Sequence, residues 1–297
     1  MSFTAEVKTE LSEIDVFSPE MKKAFTYGFL LFGKSFNPRS VTCASDYECV
    51  IRTFTSVITE LTGITAAVSQ LKSGKYVLKI VTAAERKKLL EFFDHSVNEI
   101  SLRINHGNLE EDESYYAFLR GAFLSCGSVS NPDKGYHLEF VVQHNKLSGD
   151  LLKILTNFNL GAKYILRKYS HVIYIKGSEN IEDLLTMMGA PNSSLYLMGV
   201  KVEKDVRNKI NRKMNFEAAN MSRAIEAGLS QVRAIELIEK KQGLDSLSDE
   251  LKELAVLRKE NPDMSLKELG ASLTVPISRS GVNHRLSKLV SIAEKYK

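Results

Sequence analysis

The sequence has little cysteine, no long apolar run and only a mild net charge of +4. Its three cysteines, Cys43, Cys49 and Cys126, form no Cys-x-x-Cys pair and leave one without a mate. That excludes a disulfide framework and leads us to expect a reducing compartment. No stretch is long and apolar enough to cross a bilayer, so no membrane partner is expected. The opening residues, MSFTAEVKTELSEI, carry acids where a secretory leader carries bases, and a cytoplasmic, nucleoid-associated location is the expectation. Phe3, Val7, Leu11 and Ile14 are spaced instead as one face of an amphipathic helix. The 297 residues, 43% hydrophobic and 26% charged, are those of an ordinary globular protein with two or three domains.

What the sequence does contain is an internal repeat. AFTYGFLLFGKS, residues 24 to 35, lies without a gap over AFLRGAFLSCGS, residues 117 to 128. Ala24, Phe25, Gly28, Leu31 and Ser35 meet Ala117, Phe118, Gly121, Leu124 and Ser128. Downstream, LKSGKYVLKI at 71 to 80 matches LRKYSHVIYI at 166 to 175, and Leu89, Leu90, Phe92 and Phe93 fall on Leu184, Leu185, Met187 and Met188.

Each copy, about 19–94 and 113–188, reads in one order. A glycine-containing helix is followed by strand-like segments near 38–52 and 136–143 and a short helix at 54–62 or 147–158. A hairpin at 66–81 or 162–176 and a closing helix at 83–94 or 179–188 complete it. In the hairpins Tyr76, Leu78 and Ile80, like His171, Ile173 and Ile175, alternate with Lys75, Lys79, Ser170 and Tyr174, so each sheet is half buried. A glycine inside an apolar helix costs about 1 kcal/mol against alanine. Two such glycines in register predict a pseudo-twofold in which the first helices touch at Gly28 and Gly121, where the missing Cβ lets the backbones approach.

Charge is distributed unevenly. From Val206 onward there are 17 Lys and Arg against 12 Asp and Glu, leaving 23 against 24 in the first 205 residues. The bases concentrate in Lys201–Lys213 and Ser278–Lys297, so polyanion binding is expected of the C-terminal third. That third reads as a helix-turn-helix. A helix at 248–260 buries Leu251, Leu254, Ala255 and Leu257. Ser265-x-x-Glu268 is a capping box for the next, with Leu266, Leu269 and Leu273 on one face. Thr274-Val275-Pro276-Ile277 is a turn. The last helix, capped by Ser278 or Ser280, buries Val282, Leu286, Leu289 and Ala293.

Its other face carries Arg279, Ser280, Asn283, His284, Arg285, Ser287 and Lys288. Arg can pair with guanine and Asn with adenine in bidentate fashion, while Ser and Lys hold phosphates. Gly281 removes bulk where a helix would enter a groove. A three-helix protein-binding module uses the same pattern; the mixture of bases with amide and hydroxyl groups favours DNA. The expected DNA contacts are Ser278, Arg279, Ser280, Asn283, His284, Arg285 and Lys288.

The duplicated glycine helices resemble the LAGLIDADG motif of homing endonucleases. Joined to the C-terminal Ser278-Arg279-Ser280-Gly281-Val282-Asn283-His284-Arg285 helix-turn-helix, they resemble the WhiA family of sporulation and cell-division regulators. The resemblance spans nearly the whole chain. It implies a DNA-binding transcription regulator whose N-terminal domain descends from a nuclease. In the endonucleases each motif ends in an acid that binds a divalent metal; the matching positions here hold Gly33 and Cys126. Neither supplies the hard oxygen that magnesium needs. Cys126 reads as a packing residue, and His137 and His144 are too loosely placed for a metal pair. No metal, cofactor or catalysis is expected, with residual metal-dependent DNA endonuclease activity as the less favoured alternative.

The hairpin tips are basic in both repeats, at Lys72, Lys75, Arg167 and Lys168. They offer either secondary DNA contacts or, given the acidic balance of the first 205 residues, a surface for another transcription, division or segregation protein. The expected architecture is α+β. A pseudo-symmetric LAGLIDADG-like domain, 1–205, leads through a basic linker and helices, 206–245, into an all-α helix-turn-helix domain, 246–297, that binds double-stranded DNA.

Overall fold

The computed structural model describes residues 2–15, 18–99 and 101–296. They divide into two compact units, Met1–Lys204 and Asp205–Lys297.

The first unit opens with α1 (Phe3–Ser12), capped by the Ser2 hydroxyl, which accepts from the Ala5 amide. Phe3, Val7 and Leu11 are buried, while Ile14 lies beyond the helix end and is only partly covered. Two copies of one motif follow. The first has α2 (Pro19–Leu31), β1 (Ser35–Asn37), β2 (Ser40–Ser45), α3 (Glu48–Thr62), β3 (Ala67–Gln70), β4 (Tyr76–Ile80) and α4 (Ala83–Phe92). The second has α5 (Asp112–Cys126), β5 (Gly127–Val129), β6 (Leu138–Val142), α6 (Asn145–Asn157), β7 (Lys163–Arg167), β8 (Ser170–Ile175) and α7 (Ser178–Met188). The antiparallel sheets repeat the same order, β1-β2-β4-β3 and β5-β6-β8-β7. The segment 38–52, read from sequence as strand, holds the β1–β2 turn, β2 and the first turn of α3. Val50, Ile51, Phe54 and Ile58 share the buried face of α3 and carry the helix that far back.

The twofold rests on α2 and α5. A Cβ on Gly28 would overlap the carbonyl oxygen of Phe118, and a Cβ on Gly121 would overlap that of Phe25. Each glycine thus seats the other helix's backbone, as the repeat implied. Around this contact Phe25, Phe29 and Phe54 stack, with ring centroids 4.5 and 3.5 Å apart. On the other side Tyr27 donates to or accepts from His95 Nε2 at 2.8 Å and accepts the Asn105 amide at 2.8 Å.

Where the sequence pointed to a linker with helices, one helix runs without a break: α8 (Pro191–Gln242), 52 residues. No proline falls between Pro191 and Pro262, so nothing forces a stop. In the first unit α8 buries Leu197 and Val200, and in the second Ile235 and Ile238. Residues 205–227 are exposed on every side.

In the second unit the end of α8 packs with α9 (Asp249–Glu260), α10 (Leu266–Ala271) and α11 (Arg279–Glu294) around Leu251, Leu254, Leu269, Leu273, Val282, Leu286 and Leu289. The buried Arg258 guanidinium donates to the carbonyls of Pro262 (3.2 Å) and Met264 (2.7 Å), fixing the loop before α10. The Ser265/Glu268 capping box is formed. The turn folds back so closely that a Cβ on Gly270 would strike the Ile277 carbonyl, whose residue returns a hydrogen bond from its amide to the Gly270 oxygen at 3.0 Å. Leu257 and Leu266 are only partly buried. Among the described residues no helix is long and apolar enough to cross a membrane.

Candidate nucleic-acid interface

The two cap candidates for α11 are distinguished by its geometry. Ser278 is extended, and its hydroxyl accepts from the Gly281 amide at 3.2 Å while lying 2.9 Å from the Ser280 hydroxyl. Val282, Leu286, Leu289 and Ala293 anchor the helix inward. Ser278, Arg279, Ser280, Asn283, His284, Ser287 and Lys288 are exposed together on the outer face. A Cβ at Gly281 would meet Ile277 at an ordinary 3.5 Å, so internal packing does not demand glycine there.

Arg285 is set apart from the other bases of α11. It sits beside the buried stripe, its side chain 23% exposed, with its guanidinium 2.8 Å from a carboxylate oxygen of Glu250 on α9. Sequence reasoning placed it with the free bases because its partner is 35 positions away and on another helix.

The hairpin bases of the first unit differ in the same way. Lys75 pairs with Asp46 at 3.5 Å. Arg167 lies 2.6 Å from Glu139, which also receives His137 at 3.1 Å. Burial raises the Glu139 carboxyl, but the hydrogen bonds from His137 and Arg167 outweigh it and hold the group below the usual carboxylate range. Only Lys72 and Lys168 of the four are exposed with no polar partner among the described residues. His144 takes a different setting, extended at the N-terminus of α6.

A LAGLIDADG fold implies a divalent metal between the ends of α2 and α5, and the residues here do not fit one. A side chain at position 33 has no room: its Cβ would meet Cys43 Sγ and the carbonyl oxygens of Leu30 and Thr42. At the other position, burial pushes the Cys126 thiol up to about 12, against the pull of the nearby Lys8 charge. A thiol so reluctant to ionise is a poor metal ligand. Lys8, from α1, brings its ammonium to the end of α5, donating to the Leu124 carbonyl at 3.1 Å between the Tyr47 and Phe123 rings. Burial lowers its pKa to about 8. Sequence reading missed this residue, since a lysine on an amphipathic helix normally faces water. Among the described residues no three His, Cys, Asp or Glu side chains gather into a metal-binding group.

Residues 115–207 match the WhiA LAGLIDADG-like domain, and residues 210–293 match the WhiA C-terminal HTH domain. The chain is 36% identical over 312 aligned positions to a probable cell division protein WhiA from Clostridium tetani, covering 99% of this chain and 98% of the relative. The Clostridium botulinum counterpart is 37% identical, covering 100% and 99%. The crystal structure of full-length WhiA from Thermotoga maritima is 25% identical and covers 99% of each chain with a TM-score of 0.61. A duplicated LAGLIDADG-like unit with a misfit metal position, followed by a capped helix-turn-helix, and relatives matched over nearly their full length lead to one assignment: the chain belongs to the WhiA family.

Proposed function

We propose that the chain is a sequence-specific regulator of transcription that binds double-stranded DNA through α11, serves sporulation and cell division, and performs no catalysis. The observation that carries this reading is the outer face of α11. Arg279, Asn283, His284 and Lys288 stand exposed on a helix fixed by a leucine stripe and a serine cap, as a helix entering a major groove requires. The names of the relatives supply the link to cell division. Absence of catalysis is supported by the closed space at Gly33 and by Lys8 beside Cys126. Genome-wide mapping of bound DNA, with Asn283→Ala as the control, tests the reading. Loss of discrete peaks in the variant is expected, and identical maps would refute it.

A second reading is favoured by one observation. Tyr164, Ile165 and Leu166 on the edge strand β7, and Tyr169 at the hairpin tip, are all exposed apolar side chains. Large exposed apolar groups on a free sheet edge suit a protein partner. In this reading the first unit holds another transcription, division or segregation protein while α11 holds DNA. Capture of a partner by the full-length protein that is lost in Ile165→Lys would support it.

A further inference from the structure

α8 carries a feature that the helix-turn-helix reading does not use. Residues 205–227 are all exposed among the described residues. At 100° per residue, Lys209, Arg212, Lys213, Phe216, Asn220 and Arg223 fall at i, i+3, i+4, i+7, i+11 and i+14, within an arc of about 100°. Ile210, Met214, Met221 and Ile225 lie on the far side, and Val206 flanks the arc. The arc begins after Asp205, and from 206 to 225 the single acid, Glu217, falls outside it.

We propose that this arc is a second DNA contact, with Lys209, Arg212, Lys213 and Arg223 neutralising phosphates and Phe216 lying against the sugar backbone between them. It rests on the reading that the chain binds duplex DNA, and it adds a surface outside the helix-turn-helix.

Two observations separate the arc from an ordinary solvated face. First, Lys201 and Lys204, the lysines that precede the arc on α8, and two lysines of α9 are engaged. Lys201 meets Glu179 at 3.1 Å, Lys204 donates to the Pro132 carbonyl at 2.6 Å, Lys252 meets Asp245 and Lys259 meets Glu239. None of the four arc bases has an ion pair or side-chain hydrogen bond among the described residues. Bases three and four positions apart on one helix face repel, each pair costing a few tenths of a kcal/mol, and among the described residues none of the acids three or four positions away, Asp205, Glu217 and Glu226, forms an ion pair with them that offsets it. An external polyanion does. Second, Phe216 is 67% exposed in the middle of the basic arc. An aromatic ring there can cover sugar while the bases on either side hold phosphates. From Lys209 to Arg223 the strip is about 21 Å long, and duplex DNA presents a charge about every 1.7 Å of its axis, so four phosphates lie within its span.

The test uses full-length protein and fluorescence anisotropy on a mapped-site duplex and a random duplex, from 50 to 200 mM salt. The quadruple variant Lys209→Gln/Arg212→Gln/Lys213→Gln/Arg223→Gln should flatten the slope of log affinity against log salt by roughly 0.9 for each phosphate lost. The flattening should be equal on both duplexes, with the preference for the mapped site unchanged. Phe216→Ala should weaken binding without changing the slope. Far-UV circular dichroism verifies that α8 remains helical. Unchanged slope and affinity in the quadruple variant, while Asn283→Ala still abolishes site preference, would overturn the α8 contact and leave the α11 reading standing. Wild-type protein that binds neither duplex would overturn both.

Discussion

Arg285 on α11 places its guanidinium 2.8 Å from a carboxylate oxygen of Glu250 on α9. The pair ties α11 to α9, the first helix of the helix-turn-helix, and it withdraws one positive charge from the face that would meet DNA. Because Glu250 remains 71% exposed, the pair should contribute no more than about 1 kcal/mol to folding.

Glu250→Gln should therefore leave the melting temperature nearly unchanged while releasing Arg285 toward the phosphates. The expected result is tighter binding on every duplex and a salt slope steeper by roughly 0.9, the mark of one added phosphate contact. Anisotropy titrations at several salt concentrations decide this. A slope identical to wild type would mean that Arg285 is held by its helix position and not by Glu250.

Asn283 and Lys288 are exposed on the outer face of the same helix, yet their chemistry differs. An amide can read a base edge, whereas an ammonium is a point charge that suits phosphate. Asn283→Ala should cost about 1 to 3 kcal/mol on the preferred site and little on random DNA. Lys288→Ala should weaken both alike. Equal losses on both duplexes for Asn283→Ala would move it to backbone contact.

How far the sequence disclosed this architecture depends on how local each signal is. The glycine pair was legible because a repeat in register exposes a shared constraint, and the Gly28–Phe118 and Gly121–Phe25 contacts supply its cause. The caps of α10 and α11 were legible because a cap lies within three residues of what it caps. The continuity of α8 was not, since residues 205–227 bury nothing and so carry no core periodicity. Nor were the partners of Lys75, Arg167 and Arg285, which lie 29, 28 and 35 positions away at Asp46, Glu139 and Glu250. Basic hairpin tips in sequence are thus partly neutralised in space, and the first unit offers DNA less free charge than its tips imply.

The glycine contact makes a sharp prediction about stability. Alanine at Gly121 gains about 1 kcal/mol of helix propensity, but its Cβ must displace the Phe25 carbonyl of the packed helix. Overpacking of this kind costs about 1 to 3 kcal/mol or more, so Gly121→Ala and Gly28→Ala should each lower the urea midpoint. The double variant should lose less than the sum, because one separation of α2 from α5 relieves both clashes. Additive losses would show that the two sites act independently.

The same region bears on nuclease chemistry. Purified protein should not nick plasmid DNA with magnesium or manganese, because position 33 has no side chain and position 126 offers a thiol that resists ionisation. Installing acids should not restore cutting. Gly33→Asp would drive its Cβ into Cys43 and two carbonyl oxygens and destabilise the fold. Metal-dependent nicking that co-purifies with wild type and disappears in Cys126→Ala would refute this.

Lys8 should leave its own trace in the dependence of stability on pH. Burial lowers its folded-state pKa from 10.5 to about 8, so between those values the unfolded chain binds the proton that the folded chain has released. More protons on the unfolded state means that stability rises with pH across that window. Below about pH 8 the folded protein bears the full cost of a buried ammonium, on the order of 3 kcal/mol. Its bond to the Leu124 carbonyl and the two nearby rings do not remove that cost. Lys8→Met replaces the ammonium with an uncharged chain of similar shape, and its stability should lack this rise. Urea unfolding of both proteins from pH 7 to pH 10.5 isolates the lysine, because every other titrating group cancels in the difference. Wild type should gain on the variant steadily above about pH 8. A difference that stays flat to pH 10 would show that the ammonium keeps its ordinary affinity for the proton at the end of α5.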